Sequence, residues 1–229
     1  MSKKIGKRAR AEHQRLPEPK SYFIASEGTK TEVNYFSKFA NRINEKYKGH
    51  EDLVTIPKFE IKGMGSSNFR LISDAEDMIR KDPRIYENVW IIFDKDDISK
   101  DAFDNSIESA KTKGFNVGWS NDSFELWYLL HMEFLQSAID RKQYAEKLGR
   151  HLKINGIEKY EKNDPRVFDI LYPKTRTAIK NAEKLEKKYS PNIPCSQKNP
   201  GTTVHKLVKE LVNLEDEIDK IKKRNKNML

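Results

Sequence analysis

Residues 89–93 read Val-Trp-Ile-Ile-Phe, a continuous apolar run that ends abruptly in Asp94-Lys95-Asp96. Runs of this kind belong to strands buried on both faces, as in a parallel sheet covered by helices. A second apolar run, Tyr22-Phe23-Ile24-Ala25, leads through Ser26 into Glu27-Gly28. Two apolar strands that deliver carboxylates at their ends constrain the chain more than any other feature. Ligands of open α/β sheets bind at that edge, beyond the carboxyl ends of the strands.

The rest of the first half supports this reading. Val33, Tyr35, Phe36, Phe39 and Ile43 form the apolar stripe of a helix expected from Thr31 to Lys46. Phe59-Glu60-Ile61 reads as a short strand, and Gly63 to Ser67 as a flexible loop. Ser67 or Asn68 then caps a helix reaching Ile79. A helix from Ala102 to Lys113 leads to a strand over Asn116–Ser120. This alternation predicts an α/β fold with a doubly wound, mostly parallel sheet.

After residue 120 the pattern changes to helices. Phe124, Leu126, Trp127, Leu129 and Leu130 mark an apolar helix, and others are expected over Asp140–Leu152, Thr175–Tyr189 and Thr203–Lys223. The last carries an amphipathic stripe through Val204, Leu207, Val208, Leu211, Leu214, Ile218 and Ile221. It is expected to pack on the core, with a partner helix as the alternative. The division that follows is a basic, disordered arm (1–19), an α/β core (20–122) and a helical part packed on it (123–229).

Composition narrows the classes. The 229 residues can bury one substantial core. No apolar stretch approaches the roughly 18 residues that span a bilayer, and the basic start is followed by no apolar segment. A single cysteine, Cys195, excludes an intramolecular disulfide and a cysteine metal cluster. A cytoplasmic location is the expectation. Lysine and arginine outnumber acids 44 to 35, a surplus of +9 that favours a polyanionic partner such as nucleic acid. Much of it lies in Lys3 to Arg15 and in Lys220 to Arg224.

Several acids could carry chemistry. In extended backbone Asp94 and Asp96 point to the same side, so both could reach one cation; a solvent-facing acidic turn is the plainer alternative. Gly28 permits backbone to approach a phosphate, and the helix opening at Thr29-Lys30-Thr31-Glu32 can add the field of its amino end. Glu125 interrupts an apolar helix, where a carboxylate needs a partner. A salt bridge and a metal are both open for it. His131 is expected to be structural, and Asp97 to face away or cap the next element.

With these motifs the chain resembles the Toprim superfamily, which pairs strand-Glu-Gly with a later strand-Asp-x-Asp, here Glu27-Gly28 and Asp94-Lys95-Asp96. Within it the chain is similar to the RloB-like branch. That pattern covers Glu-Gly-x-x-Thr-Glu at 27–32, Asp-x-Asp at 94–96, Ser-Phe-Glu-x-Trp at 123–127 and a late Asn199-Pro200-Gly201-Thr202. The resemblance implies a Toprim-like sheet and a phosphodiester-transfer site using Mg²⁺, with Mn²⁺ as a substitute. It further implies a nuclease acting on DNA or RNA, tRNA included, in abortive-infection defence against phage. A homodimer or a partner defence protein are the candidate assemblies. In this scheme Asp94 and Asp96 hold one metal ion, with Glu27 a further ligand or the base for the attacking water. Glu32 is a further candidate ligand, and Glu125 a candidate for a second metal. Lys30, Lys95, Lys174 and Arg176 are the candidate cations for nucleic acid. Two other readings stay open: an aspartate-nucleophile phosphatase built on Asp94, and a non-catalytic nucleic-acid-binding module.

Overall fold

The structure is a computed structural model and describes residues 18–226. The arm expected at 1–19 therefore lies, up to residue 17, outside the described residues. The elements run β1 (Ser21–Ser26), α1 (Thr31–Tyr47), β2 (Lys58–Gly63), α2 (Asn68–Lys81), β3 (Asn88–Asp94), α3 (Lys100–Thr112) and β4 (Asn116–Asn121). There follow α4 (Glu125–Leu130), α5 (Arg141–Ile154), α6 (Arg166–Leu171), α7 (Thr175–Glu186), β5 (Gly201–Thr202) and α8 (Val204–Lys226).

The two faces of each central strand are used equally. Side chains alternate along β1 and β3, so Tyr22, Ile24, Trp90 and Ile92 join one apolar cluster while Phe23, Ala25, Val89, Ile91 and Phe93 join the other. The second cluster is closed by α2 and α3, through Leu71, Ile72, Phe103 and Ile107. The first is closed by α1, α4 and the later helices, through Phe36, Phe39, Trp127, Leu207 and Leu211. Both surfaces of β3 are thus dry, which is why its sequence lacks alternation. Each large side chain so buried stabilises the fold by roughly 1.5–3 kcal/mol relative to exposure.

The sheet order is β2-β1-β3-β4-β5. The first three pairings are parallel, with Ser26 opposite Gly63 on one side and Ile92 on the other; β5 is antiparallel to β4. The chain steps outward from β1 to β2, then returns past β1 to β3. The order therefore reverses between β1 and β3, where the ends of neighbouring strands diverge and leave a crevice. The two acidic motifs sit at that point.

The C-terminal part is woven into the core, not appended to it. Thr203 donates its N–H to the Trp119 carbonyl (2.8 Å), and its hydroxyl accepts from the Trp119 N–H (3.0 Å). The Ser120 and Thr202 hydroxyls bond each other at 3.0 Å. Gly201 is required here, since a Cβ would fall 2.3 Å from the Lys198 carbonyl oxygen. The segment Asn199–Thr202 thereby fastens α8 to the sheet. Neither β5 nor α6 is expected from the sequence, and α7 stops at Glu186 instead of Tyr189. The amphipathic stripe of α8 lies against α1 and β4, and the Tyr47 hydroxyl donates to the Leu214 carbonyl (3.1 Å). Among the described residues no helix is long and apolar enough to cross a membrane.

Candidate active site

Backbone pairing continues past the strand ends and fixes the acidic motifs. The Glu27 N–H donates to the Ile92 carbonyl (2.9 Å), and Gly65 N–H to the Glu27 carbonyl (3.2 Å). On the other side, Lys95 N–H reaches the Ser120 carbonyl (2.9 Å) and Asp96 N–H the Asp122 carbonyl (3.2 Å). Two glycines make the loop after β1. A Cβ on Gly63 would lie 2.6 Å from Thr29 Cα, so the end of β2 can slide beneath that loop only without a side chain. Gly28 faces the carboxylate of Glu32, which folds back from the first turn of α1.

A cleft of about 220 Å³ opens between these loops and the start of α4. Five carboxylates line it: Glu27, Glu32, Asp94, Asp96 and Glu125. All the acids singled out in the sequence are therefore brought to one place. Glu32 and Glu125 are 8% and 4% exposed, so both are taken almost wholly out of water. Asp94 is half-buried and accepts the Phe124 backbone N–H on Oδ2 (3.0 Å). The route for Asp96 differs from the expected alternation. Its φ is +40°, the left-handed region that Asp tolerates better than most residues. The chain turns there, and its carboxylate meets Arg141 Nη1 at 2.5 Å.

The electrostatics follow from crowding. Burial, then the negative charges of Glu32 and Glu125, push the Asp94 carboxyl well above the usual carboxylate range. Burial, then Glu125, raises Glu32, against the pull of Lys162 and Arg141. Burial and Asp96 raise Glu27. Glu125 accepts from the Tyr160 hydroxyl (3.2 Å) and pairs with Lys162 (3.3 Å). It is thus both salt-bridged and part of the cleft. Glu32 differs: among the described residues no side chain hydrogen-bonds or ion-pairs with it.

The expected cations fare differently. Lys30 lines the cleft and is exposed. Lys95 is adjacent, its charge acting on Asp122 instead, and it does not line the cleft. Lys174 and Arg176 lie elsewhere. Lys174 reaches Met132 Sδ (3.2 Å), and Arg176 pairs with Asp216 on α8 (2.6 Å), because α7 packs on α4 and α8, away from the strand ends. The cations of the cleft are Lys30, Arg141 and Lys162. Arg141 and Lys162 carry no local signal: one opens a polar first turn of α5 and the other sits in a polar loop, like many basic residues of the chain. Tyr160 is equally silent. His131 is structural, as expected. It is buried against Trp127 (ring centroids 4.8 Å), its Nδ1 lies 2.9 Å from the Trp127 carbonyl, and burial lowers its pKa to about 4.

The donor set is all oxygen, which suits a hard cation such as Mg²⁺. Among the described residues no group of three or more His, Cys, Asp or Glu side chains is arranged to hold a metal ion as it stands. Asp96 is turned onto Arg141 and Glu125 onto Lys162. Mg²⁺ rarely uses a complete protein cage, taking one or two carboxylates, waters and phosphate oxygens. Among the described residues Glu27, Glu32 and Asp94 are the cleft carboxylates in no ion pair, so they are the ones left to offer oxygens to such a partly hydrated ion.

The family model described as RloB-like protein matches residues 22–211. The chain belongs to the RloB-like family. No curated protein and no solved structure matches it. The family span takes in all five carboxylates, Arg141, Lys162 and the segment that fastens α8, so the whole cleft falls within it.

Proposed function

We propose that this RloB-like chain is a Toprim-type nuclease that hydrolyses phosphodiester bonds in nucleic acid with Mg²⁺, in abortive-infection defence against phage. RNA, tRNA included, and DNA are the candidate substrates. The observation that carries the reading is the convergence of Glu27 and Asp94, from adjacent parallel strands at the reversal of the sheet, on one cleft with Glu32 and Glu125.

A metal ion bound there would polarise a phosphate oxygen and stabilise the leaving group. Glu27, Glu32 and Asp94 would hold it, with Asp96 joining once released from Arg141. Phe124 N–H orients the Asp94 carboxylate. Glu27, its carboxyl raised by burial and by Asp96, is a better proton acceptor than an ordinary carboxylate and suits the activation of water. Tyr160 and Lys162 hold Glu125 in place. Lys30, Arg141 and Lys162 supply the positive charge that a polyanion needs.

The test is cleavage of single-stranded RNA, tRNA and DNA in Mg²⁺ or Mn²⁺, with Glu27→Ala and Asp94→Ala as controls. Cleavage by the wild type, lost in both variants, is expected. No cleavage of any substrate by the wild type would overturn the reading, and equal activity in the variants would overturn the site.

A further inference from the structure

We propose that Arg141 is the phosphate-binding residue of the cleft, parked on Asp96 until a divalent cation displaces it. This rests on the nuclease reading above and adds to it a residue with two alternating partners. Arg141 and Asp96 both line the cleft, and their paired side chains are 46% and 39% exposed. Arg141 thereby shares the cleft with Glu27, Glu32 and Asp94. Its backbone is fixed: it is the first residue of α5, held by a capping box between Asp140 and Gln143. Only its side chain is free to change partner.

A divalent cation held by Glu27, Glu32 and Asp94 would compete with the guanidinium for Asp96. An exposed ion pair of this kind contributes little, so a doubly charged ion can displace it. The released guanidinium then stands at the entrance with five N–H donors and no carboxylate. A phosphodiester accepts such a fork bidentately, which a lysine cannot reproduce. The same side chain would thus serve Asp96 and a substrate phosphate in turn. Lys162 has no such freedom, because its partner Glu125 is buried and also bonded to Tyr160.

The experiment measures two affinities on folded wild type, Arg141→Ala and Arg141→Lys. Lys111→Ala, which breaks the remote pair with Glu108, serves as control. Mn²⁺ binding is titrated without nucleic acid. Binding of a single-stranded oligonucleotide is then followed by anisotropy in Ca²⁺ at several salt concentrations. For Arg141→Ala we expect Mn²⁺ binding about threefold to tenfold tighter, since a competing cation is gone. Oligonucleotide binding should weaken about tenfold, with a salt slope shallower by about one charge. Arg141→Lys should keep the Mn²⁺ affinity of the wild type and lose part of the oligonucleotide affinity. Weaker Mn²⁺ binding in Arg141→Ala, or unchanged oligonucleotide binding, overturns the proposal while leaving a cleaving wild type as a nuclease. A wild type that binds neither Mn²⁺ nor nucleic acid, and cleaves nothing, overturns the nuclease reading and this one with it.

Discussion

The carboxylate of Glu32 occupies the space that a side chain on Gly28 would fill: a Cβ built there falls 2.1 Å from Glu32 Oε2. This explains the spacing of Glu27-Gly28-x-x-Thr31-Glu32. The glycine makes room for the second glutamate of its own motif. Gly28→Ala should therefore act on the site more than on the fold, because the group in the way is the end of a flexible side chain. Stability is expected to change by less than about 1 kcal/mol. Cleavage should fall about a hundredfold, as displacing a positioned group by an ångström can do. Melting curves and initial rates beside Glu32→Gln would check it; a fully active Gly28→Ala would show that Glu32 has no part in the reaction.

Magnesium should stabilise the protein, and more so at higher pH. Asp94, Glu32 and Glu27 all have raised carboxyls in the folded chain. A group whose folded pKa lies above its unfolded value favours the fold at low pH and loses that contribution as pH rises through the folded pKa. As pH rises the cluster loses protons and its carboxylates repel one another, and a divalent cation offsets the repulsion. Saturating Mg²⁺, at a hundred times its Kd, would add about 2.7 kcal/mol by mass action. Calorimetric melts at pH 5.5 and pH 8 should show the larger Mg²⁺ shift at pH 8. Asp94→Asn should be more stable than wild type without metal and shift much less with it.

The opposite sign applies to His131. Burial holds its folded pKa at about 4, below its unfolded value, so the imidazole is neutral inside and charged when released. Its contribution is present at neutral pH and lost as pH falls from about 6.5 towards 4, by roughly 3 kcal/mol in full. Replacing His131 by Phe removes that dependence. The difference in unfolding free energy between wild type and His131→Phe, followed from pH 7.5 to 4.5, should move in favour of the variant; a flat difference would refute the buried neutral state.

Lys174 and Arg176 offer a negative test. Both lie on the flank formed by α7, and Arg176 is engaged with Asp216. Lys174→Ala and Arg176→Ala together should leave cleavage within about twofold of wild type, the range of ordinary surface changes. Lys162→Ala should lower it at least tenfold by leaving Glu125 buried and short of a partner. A large loss in the α7 double variant would mean that substrate crosses that flank.

The acids of the cleft were legible because a strand end is a position that periodicity can locate. Val89 to Phe93 announces β3, and whatever follows it must stand at the edge of the sheet. The cations were not legible. Arg141 and Lys162 reach the cleft through the tertiary placement of α5 and of the loop before α6, and nothing local sets them apart from other basic residues. Lys174 and Arg176 stand beside the start of α7, which packing turns towards Met132 and Asp216. β5 escaped notice because two residues, Gly201 and Thr202, are too few to show a period, and α6 because six residues span under two turns. Strand alternation alone does not account for Asp96, which a left-handed turn brings into the cleft.

The fastening of α8 through Thr202 and Thr203 has a consequence for the order of events during synthesis. The acids of β1, β3 and α4 leave the ribosome long before the strand and helix that cover Tyr22, Ile24, Trp90 and Ile92. Until α8 docks, the part of that sheet face that it covers, beside α1 and β4, stays wet. A nascent chain thus carries every acid of the cleft yet lacks the frame that aligns them. The cleft is assembled only after α8 has been made and has docked.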